Sequence, residues 1–321
     1  MNTTHFKTNG QTVASRTNVD GSVESQAAFT LTELLAVLVM VAILIIAMTP
    51  ALGRVKPGYQ AFHCMNNLRR VMNAMTFYAS DYHDLLPPNP DDGTTTAGYV
   101  WCAGQAGIGG ADEFNPDLMR DPKRTLVAPY LNFDVEVFRC TADARTGLYT
   151  GAALYPHSTL KGTRVPASRS ISMSGAVGTV DPGYASGGGH LGVPDQAVNG
   201  PWLTGAHGAN TAARGPWRTY GKLTQMVAPV PSQLWVLSEE SPVSINDAVL
   251  NTCVASPKWV DYPSTLHNFG CALAFGDAHA ELHKWSDPST EYLPYSQLPI
   301  PPGGGRDWNW LASRTSAPLF K

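Results

Sequence analysis

Apolar residues are distributed unevenly along this chain of 321 residues. The densest run is 29–52, FTLTELLAVLVMVAILIIAMTPAL, which carries a single charge, Glu33, near its start. Its length suits a membrane-spanning helix. A carboxylate inside such a segment costs roughly 2.5–3.5 kcal/mol on insertion scales, so it requires a partner. A cut just before Phe29 would supply one, a new α-amino group four residues from Glu33. Pro50, Gly53, Pro57 and Gly58 then weaken helical structure across 50–58. From Tyr59 to about Asp81 the residues Phe62, Met65, Leu68, Met72 and Met75 recur at steps of three and four, with Asn66, Arg69, Arg70 and Asn73 between them. This predicts an amphipathic helix with one stripe packed on a sheet. Pro87, Pro88 and Pro90 end it.

Beyond residue 90 the signals shorten. Residues 91–125 read as an irregular Gly- and Asp-rich insertion, and Val127–Phe138 as a short helix or turn followed by a strand. Ser170–Val180 reads as a strand, and the polar stretch 181–215, with Gly187, Gly188 and Gly189, as a loop. Leu234–Leu237 is a buried strand. Cys271–Phe275 and Ala280–Trp285 alternate around Gly276-Asp277-Ala278-His279, the pattern of a β-hairpin. Pro294–Gly305 reads as an extended tail.

Composition narrows the class. Charged residues are only 15%, while Gly 30 and Pro 25 favour a loop-rich, β-containing domain over a helical bundle. The net charge of −3 leaves no basic surface for nucleic acid. Residues 1–28 are polar throughout, with Lys7 and Arg16 balanced by Asp20 and Glu24. The apolar run therefore follows the proposed cut instead of preceding it, unlike an ordinary secretory signal.

The segment Phe29, Thr30, Leu31, Glu33, Leu34, Leu35 resembles the N-terminus of type IV pilins and type II secretion pseudopilins, and Pro50 lies where many of those helices carry a proline. That family usually has Gly before the cut, where this chain has Ala28. A second resemblance is to the H-X9-DG processing-associated domain that accompanies such N-termini. His267 and Asp277 match it, with Ala278 in place of the usual Gly. Cys64-Met-Asn-Asn-Leu-Arg-Arg and Phe138-Arg-Cys140-Thr-Ala-Asp143 resemble two further segments of that family.

These resemblances imply a pilin-like α+β fold. A long N-terminal α-helix, half in the membrane and half amphipathic, would pack on an antiparallel β-sheet with long loop insertions. The expected divisions are a leader 1–28, a transmembrane helix 29–52, an amphipathic helix 53–90, an extracytoplasmic domain 91–293 with the hairpin at 267–285, and a Pro/Gly-rich tail 294–321. The implied function is a non-enzymatic, pseudopilin-like structural subunit of a type II secretion or type IV pilus-like assembly. Prepilin peptidase would cut between Ala28 and Phe29, Phe29 would be N-methylated, and Glu33 would serve recognition or assembly. Its partners would be that peptidase, other pilin-like subunits and the inner membrane, with no nucleic acid. The chain would cross the inner membrane once, its C-terminal domain periplasmic or on the cell surface. Rival expectations are a cell-surface binding protein exported by the same route and an anchored metal-dependent enzyme.

Five cysteines lie in the part expected to be exported, where disulfides are permitted. The resemblance pairs Cys64 with Cys140, and Cys253 with Cys271 is a second candidate. No CxxC occurs. His267, Asp277, His279 and Glu239 have the chemistry of transition-metal ligands such as those of zinc. Asp277, Glu239 and Asp247 would suit calcium. The bland alternative is turn chemistry, with Asp277 capping its own backbone and His267 bonded to it; no cofactor is then required. Trp202, Trp217, Trp308 and Trp310 read as core or tail anchors in preference to a sugar-stacking surface. An enzyme is further disfavoured by the absence of HExxH, a P-loop or a nucleophile elbow.

Overall fold

In a computed structural model of the chain, the described residues are 30–90, 100–180, 196–200, 202–206, 215–291, 300 and 305–320, without the side chains of 46–57. Ala28 and Phe29 lie outside them, as does the glycine triplet at 187–189. Helical backbone (α1) runs Leu31–Asp81, and contacts divide the chain into two compact units, Met1–Gly53 and Arg54–Lys321. The first unit starts its helix with a reciprocal cap. Glu33 Oε2 accepts from the Thr30 N–H at 2.9 Å and from Thr30 Oγ1 at 2.7 Å, while Thr30 Oγ1 accepts from the Glu33 N–H at 3.3 Å.

In the second unit the helix buries Ala61, Cys64, Leu68, Val71, Met72, Met75 and Ala79. Those positions recur at three- and four-residue steps, but the stripe is rotated from the one expected. Phe62 is exposed and Met65 only half-buried. The small residues Ala61 and Cys64 occupy the contact face instead. Two bonds reach from Gln60 to Thr141, Gln60 Nε2 donating to the Thr141 carbonyl and Thr141 Oγ1 donating to the Gln60 carbonyl, each at 3.2 Å. Arg70 pairs with Asp134 at 2.8 Å.

The remaining elements are β1 (Pro88–Asn89), α2 (Pro116–Arg120), β2 (Thr146–Leu148), β3 (Arg164–Pro166), β4 (Ile171–Ser174), β5 (Thr179–Val180), β6 (Trp235–Glu239), β7 (Val249–Leu250), β8 (Gly270–Phe275), β9 (Ala280–Lys284) and α3 (Arg306–Ala312). Their main sheet has the order β7-β4-β6-β8-β9. Its pairs are antiparallel except β4 with β7, which is parallel. Side chains alternate across β8: Ala272 and Ala274 join the cluster that holds Leu68, Met72 and Met75, whereas Cys271, Leu273 and Phe275 join one with Trp285 and Leu311. Both faces of this strand are therefore covered, and all six of its residues are buried.

The far-face cover comes from residues read in sequence as a tail. Trp235 donates its N–H to the Arg314 carbonyl at 3.1 Å and its Nε1–H to Thr315 Oγ1 at 2.8 Å. Two carboxylates clasp the segment before α3. Asp307 accepts from the N–H of Ser286 and of Asp287, each at 2.8 Å, and from Thr290 Oγ1 at 2.8 Å. Asp287 accepts in return from the N–H of Gly305 and of Asp307.

These observations correct the expected fold. The protein is α+β with few helices and small sheets. A long N-terminal helix packed as one body on an antiparallel sheet is not seen: the helical residues before Gly53 belong to a separate unit, and the sheet is mixed. Among the described residues no helix is long and apolar enough to cross a membrane, which overturns the expected single-pass placement in an inner membrane.

One buried ion pair shapes the loop after Phe138. Arg145 Nε and Nη2 donate to both Asp143 oxygens, at 3.0 and 2.7 Å, and Ser170 Oγ donates to Asp143 at 2.6 Å. Burial alone would raise the Asp143 carboxyl; Arg145 and Ser170 outweigh it and hold the group below its ordinary 3.8. A depressed folded-state value stabilises the fold above pH 3.8 and is lost as pH falls through the lower folded value. The urea midpoint of Asp143→Asn is therefore expected to be lower than wild type at neutral pH and to depend less on pH in the acid limb. Parallel acid limbs for the two proteins would contradict this account. Truncating the fully buried Met72 to Ala is expected to cost about 2–5 kcal/mol by urea titration, because a cavity opens between α1 and the sheet.

Candidate functional site

Four chemically active side chains converge where α1, the loop after Phe138 and the sheet meet. Cys64 sits on the buried face of α1. Cys140 follows a single 3-10 turn, Val135–Phe138, whose Phe138 side chain is buried and whose Phe138 carbonyl accepts from the Ser170 N–H. Glu239 is the last residue of β6, and His267 lies just before β8, so the antiparallel pairing of β6 with β8 sets the two side by side. Asn268 and Phe269, between His267 and β8, take left-handed backbone conformations (φ 54° and 56°), which turn the chain sharply into the strand.

The ligand-type atoms of Cys64, Cys140, Glu239 and His267 all lie within 4.8 Å of one another. The two sulfurs are 3.6 Å apart, Cys140 Sγ is 3.4 Å from His267 Nε2, and that nitrogen is 3.0 Å from Glu239 Oε1. All four residues are buried, none more than 3% exposed. Backbone donors surround them. The Thr141 N–H points at Cys64 Sγ and the Ala142 N–H at Cys140 Sγ, each at 3.3 Å, and the Ala272 N–H donates to Glu239 Oε2 at 2.9 Å.

The electrostatics follow from this crowding. The facing Cys140 thiol, with His267 and Thr141, outweighs burial and draws the Cys64 thiol well below its usual range. Cys140 moves up, because Cys64 and burial both oppose its charge. Burial would lower His267, but Cys64 and Glu239 raise it to about 10. Burial raises Glu239 against the pull of His267.

This grouping unites two sets of residues that sequence reading kept apart, the Cys64–Cys140 pair and the His267–Glu239 candidates. Both cysteines are free thiols here, as are Cys102, Cys253 and Cys271. Cys253 and Cys271 do not share neighbours: Cys253 Sγ faces Ser256 Oγ at 3.6 Å and Cys271 Sγ faces Ser238 Oγ at 3.2 Å. Asp277 and His279 are not part of the cluster. They pair with each other, Oδ1 to Nδ1 at 2.5 Å, on the exposed turn between β8 and β9. The six residues of β8, at about 3.3 Å each, separate that turn from His267 by roughly 20 Å. Asp247 is also elsewhere, accepting from the Val249 N–H.

A cleft of about 470 Å³ borders the loop, lined by Ala142 and Leu266 among others, but it reaches none of the four clustered side chains. No family model, no curated protein and no solved structure matches this chain.

The β8–β9 turn carries a local strain that its residue identity explains. Ala278 adopts φ 67°, the left-handed region where a Cβ costs about 1–2 kcal/mol. Ala278→Gly is therefore expected to raise the thermal midpoint, with a gain of about 1 kcal/mol once the greater flexibility of the unfolded glycine is counted. An unchanged or lower midpoint would show that the turn is not strained.

Proposed function

We propose that the chain is a pseudopilin-like structural subunit of a type II secretion or type IV pilus-like assembly, cut by prepilin peptidase between Ala28 and Phe29. The observation that supports this reading most directly is the helix at 31–45. Every residue of it is exposed, and apart from Thr32 and Glu33 the segment is apolar. Leu31, Leu35, Leu38, Ile43 and Leu44 all lie in the open. A helix that is apolar on every side has no stable place in water, so it requires an apolar cover. Like helices from other subunits would provide that cover, and the single carboxylate would set the register.

The chemistry at the helix start fits such a role. Glu33 already accepts two bonds from Thr30. Cleavage before Phe29 would place a cationic amine one residue from Thr30, on the same chain or on a neighbour. The reading is non-catalytic: processing and packing do the work, and the second unit supplies the surface by which one subunit is told from another.

Co-expression with a prepilin peptidase tests it. Intact mass and N-terminal sequencing are expected to show a chain beginning at N-methylated Phe29. A chain that keeps residues 1–28 in the presence of active peptidase would overturn the proposal. In Glu33→Ala, folding of the second unit is expected to be unchanged while cross-linking between subunits is lost.

A further inference from the structure

We propose that Cys64, Cys140, Glu239 and His267 form a structural zinc site that ties α1 to the sheet. The inference is independent of the proposed assembly role. It starts from geometry. Four ligands at ~2.0–2.3 Å in a tetrahedron put two sulfurs about 3.8 Å apart, sulfur and nitrogen about 3.5 Å, and nitrogen and oxygen about 3.3 Å. The corresponding separations are 3.6, 3.4 and 3.0 Å. A disulfide, by contrast, has its sulfurs at about 2.05 Å.

Ligand chemistry selects the metal. Two thiolates and an imidazole suit zinc and exclude calcium and magnesium, which take oxygen. His267 Nε2 is the nitrogen within reach of both Cys140 Sγ and Glu239 Oε1. On binding, the protons shared among the two thiols and Nε2 leave to solvent, and each freed lone pair goes to the metal. Two thiolates and a carboxylate around a dication leave one excess negative charge. The three backbone N–H groups of Thr141, Ala142 and Ala272 offset it, in the outer-shell role that orients ligands at metal sites.

The site is closed. All four positions of a tetrahedron are filled by protein, every ligand is buried, and the neighbouring cleft does not reach them. That is the arrangement of structural zinc rather than of a catalytic ion, which keeps one position open. The ligands come from α1, a loop, the end of β6 and the approach to β8, so one ion would join four segments spread from residue 64 to residue 267.

Elemental analysis of the purified full chain, grown with zinc, tests the proposal. Roughly one zinc per chain is expected. Cys64→Ser with Cys140→Ser should lose it, and Cys102→Ser should retain it. His267→Cys should keep the metal while His267→Phe loses it, a rescue that a purely hydrogen-bonding histidine would not show. Cobalt added to chelated chain should give thiolate-to-cobalt charge-transfer absorption. If the ligand variants fail to fold, the wild-type chain alone decides: after chelation, added zinc should raise the thermal midpoint, and added calcium should not. A folded chain that takes up no zinc, with Cys64 and Cys140 either free or joined in a disulfide by non-reducing peptide mapping, would overturn the assignment. So would a stoichiometric metal other than zinc.

Discussion

β6 and β8 have to bury both of their faces, because their side chains are apolar in both phases of the alternation. Ala272 and Ala274 point to the α1 side, and Cys271, Leu273 and Phe275 to the other. Neither face is tolerable in water, at roughly 25 cal/mol for each Å² of apolar surface. The rest of the second unit can be understood as the means of covering them. Small residues on both partners, alanines on β8 and Ala61 with Cys64 on the helix, let α1 come close on one side. On the other side α3 and its tryptophans close the layer. The cluster of thiols, carboxylate and imidazole sits where the first of these contacts runs out, at the end of β6 and the entrance to β8.

Two carboxylate networks trapped by this layering are satisfied by specific devices. Arg145 and Ser170 neutralise and bond Asp143 inside the loop that carries Cys140. Asp287 and Asp307 exchange backbone N–H donors at the start of α3. Burying a charge is tolerated only with such partners. Each network joins segments far apart in sequence, so each fixes tertiary geometry that local propensity leaves free.

How much of this was legible in the sequence depended on the range of the interaction. The β8–β9 hairpin and β6 were readable because period-two alternation is local. The helix at 59–81 was readable too, but its facing was not. Hydrophobicity ranks Phe62 above Ala61 and Cys64, whereas close approach to a sheet of alanines selects the small side chains. The expected fold failed because the helical residues before Gly53 and those packed on the sheet belong to different compact units, and the single membrane crossing failed because no helix among the described residues is long and apolar enough. α3 was missed because Pro/Gly-rich sequence precedes it and its aspartate clasp is long-range. His267 and Glu239 stood out in the sequence as candidate ligands and Cys64 and Cys140 as a candidate pair; their convergence, with Cys140 and His267 127 positions apart, was not legible. Asp277 was grouped with His267 although the strand read between them, extended in the structure, holds the two ends apart.

The pairing of Trp235 with Arg314 and Thr315 has a consequence for the order of events during synthesis. Its two bonds span about 80 residues, and their acceptors follow β6 and β8 in the chain. A chain emerging from the ribosome displays β6 and β8 well before α3 exists. For that interval Trp235, Leu273 and Phe275 present an uncovered apolar sheet face, the kind of surface that recruits chaperones or other copies. The synthesis of α3 and the residues just after it thus ends this vulnerability.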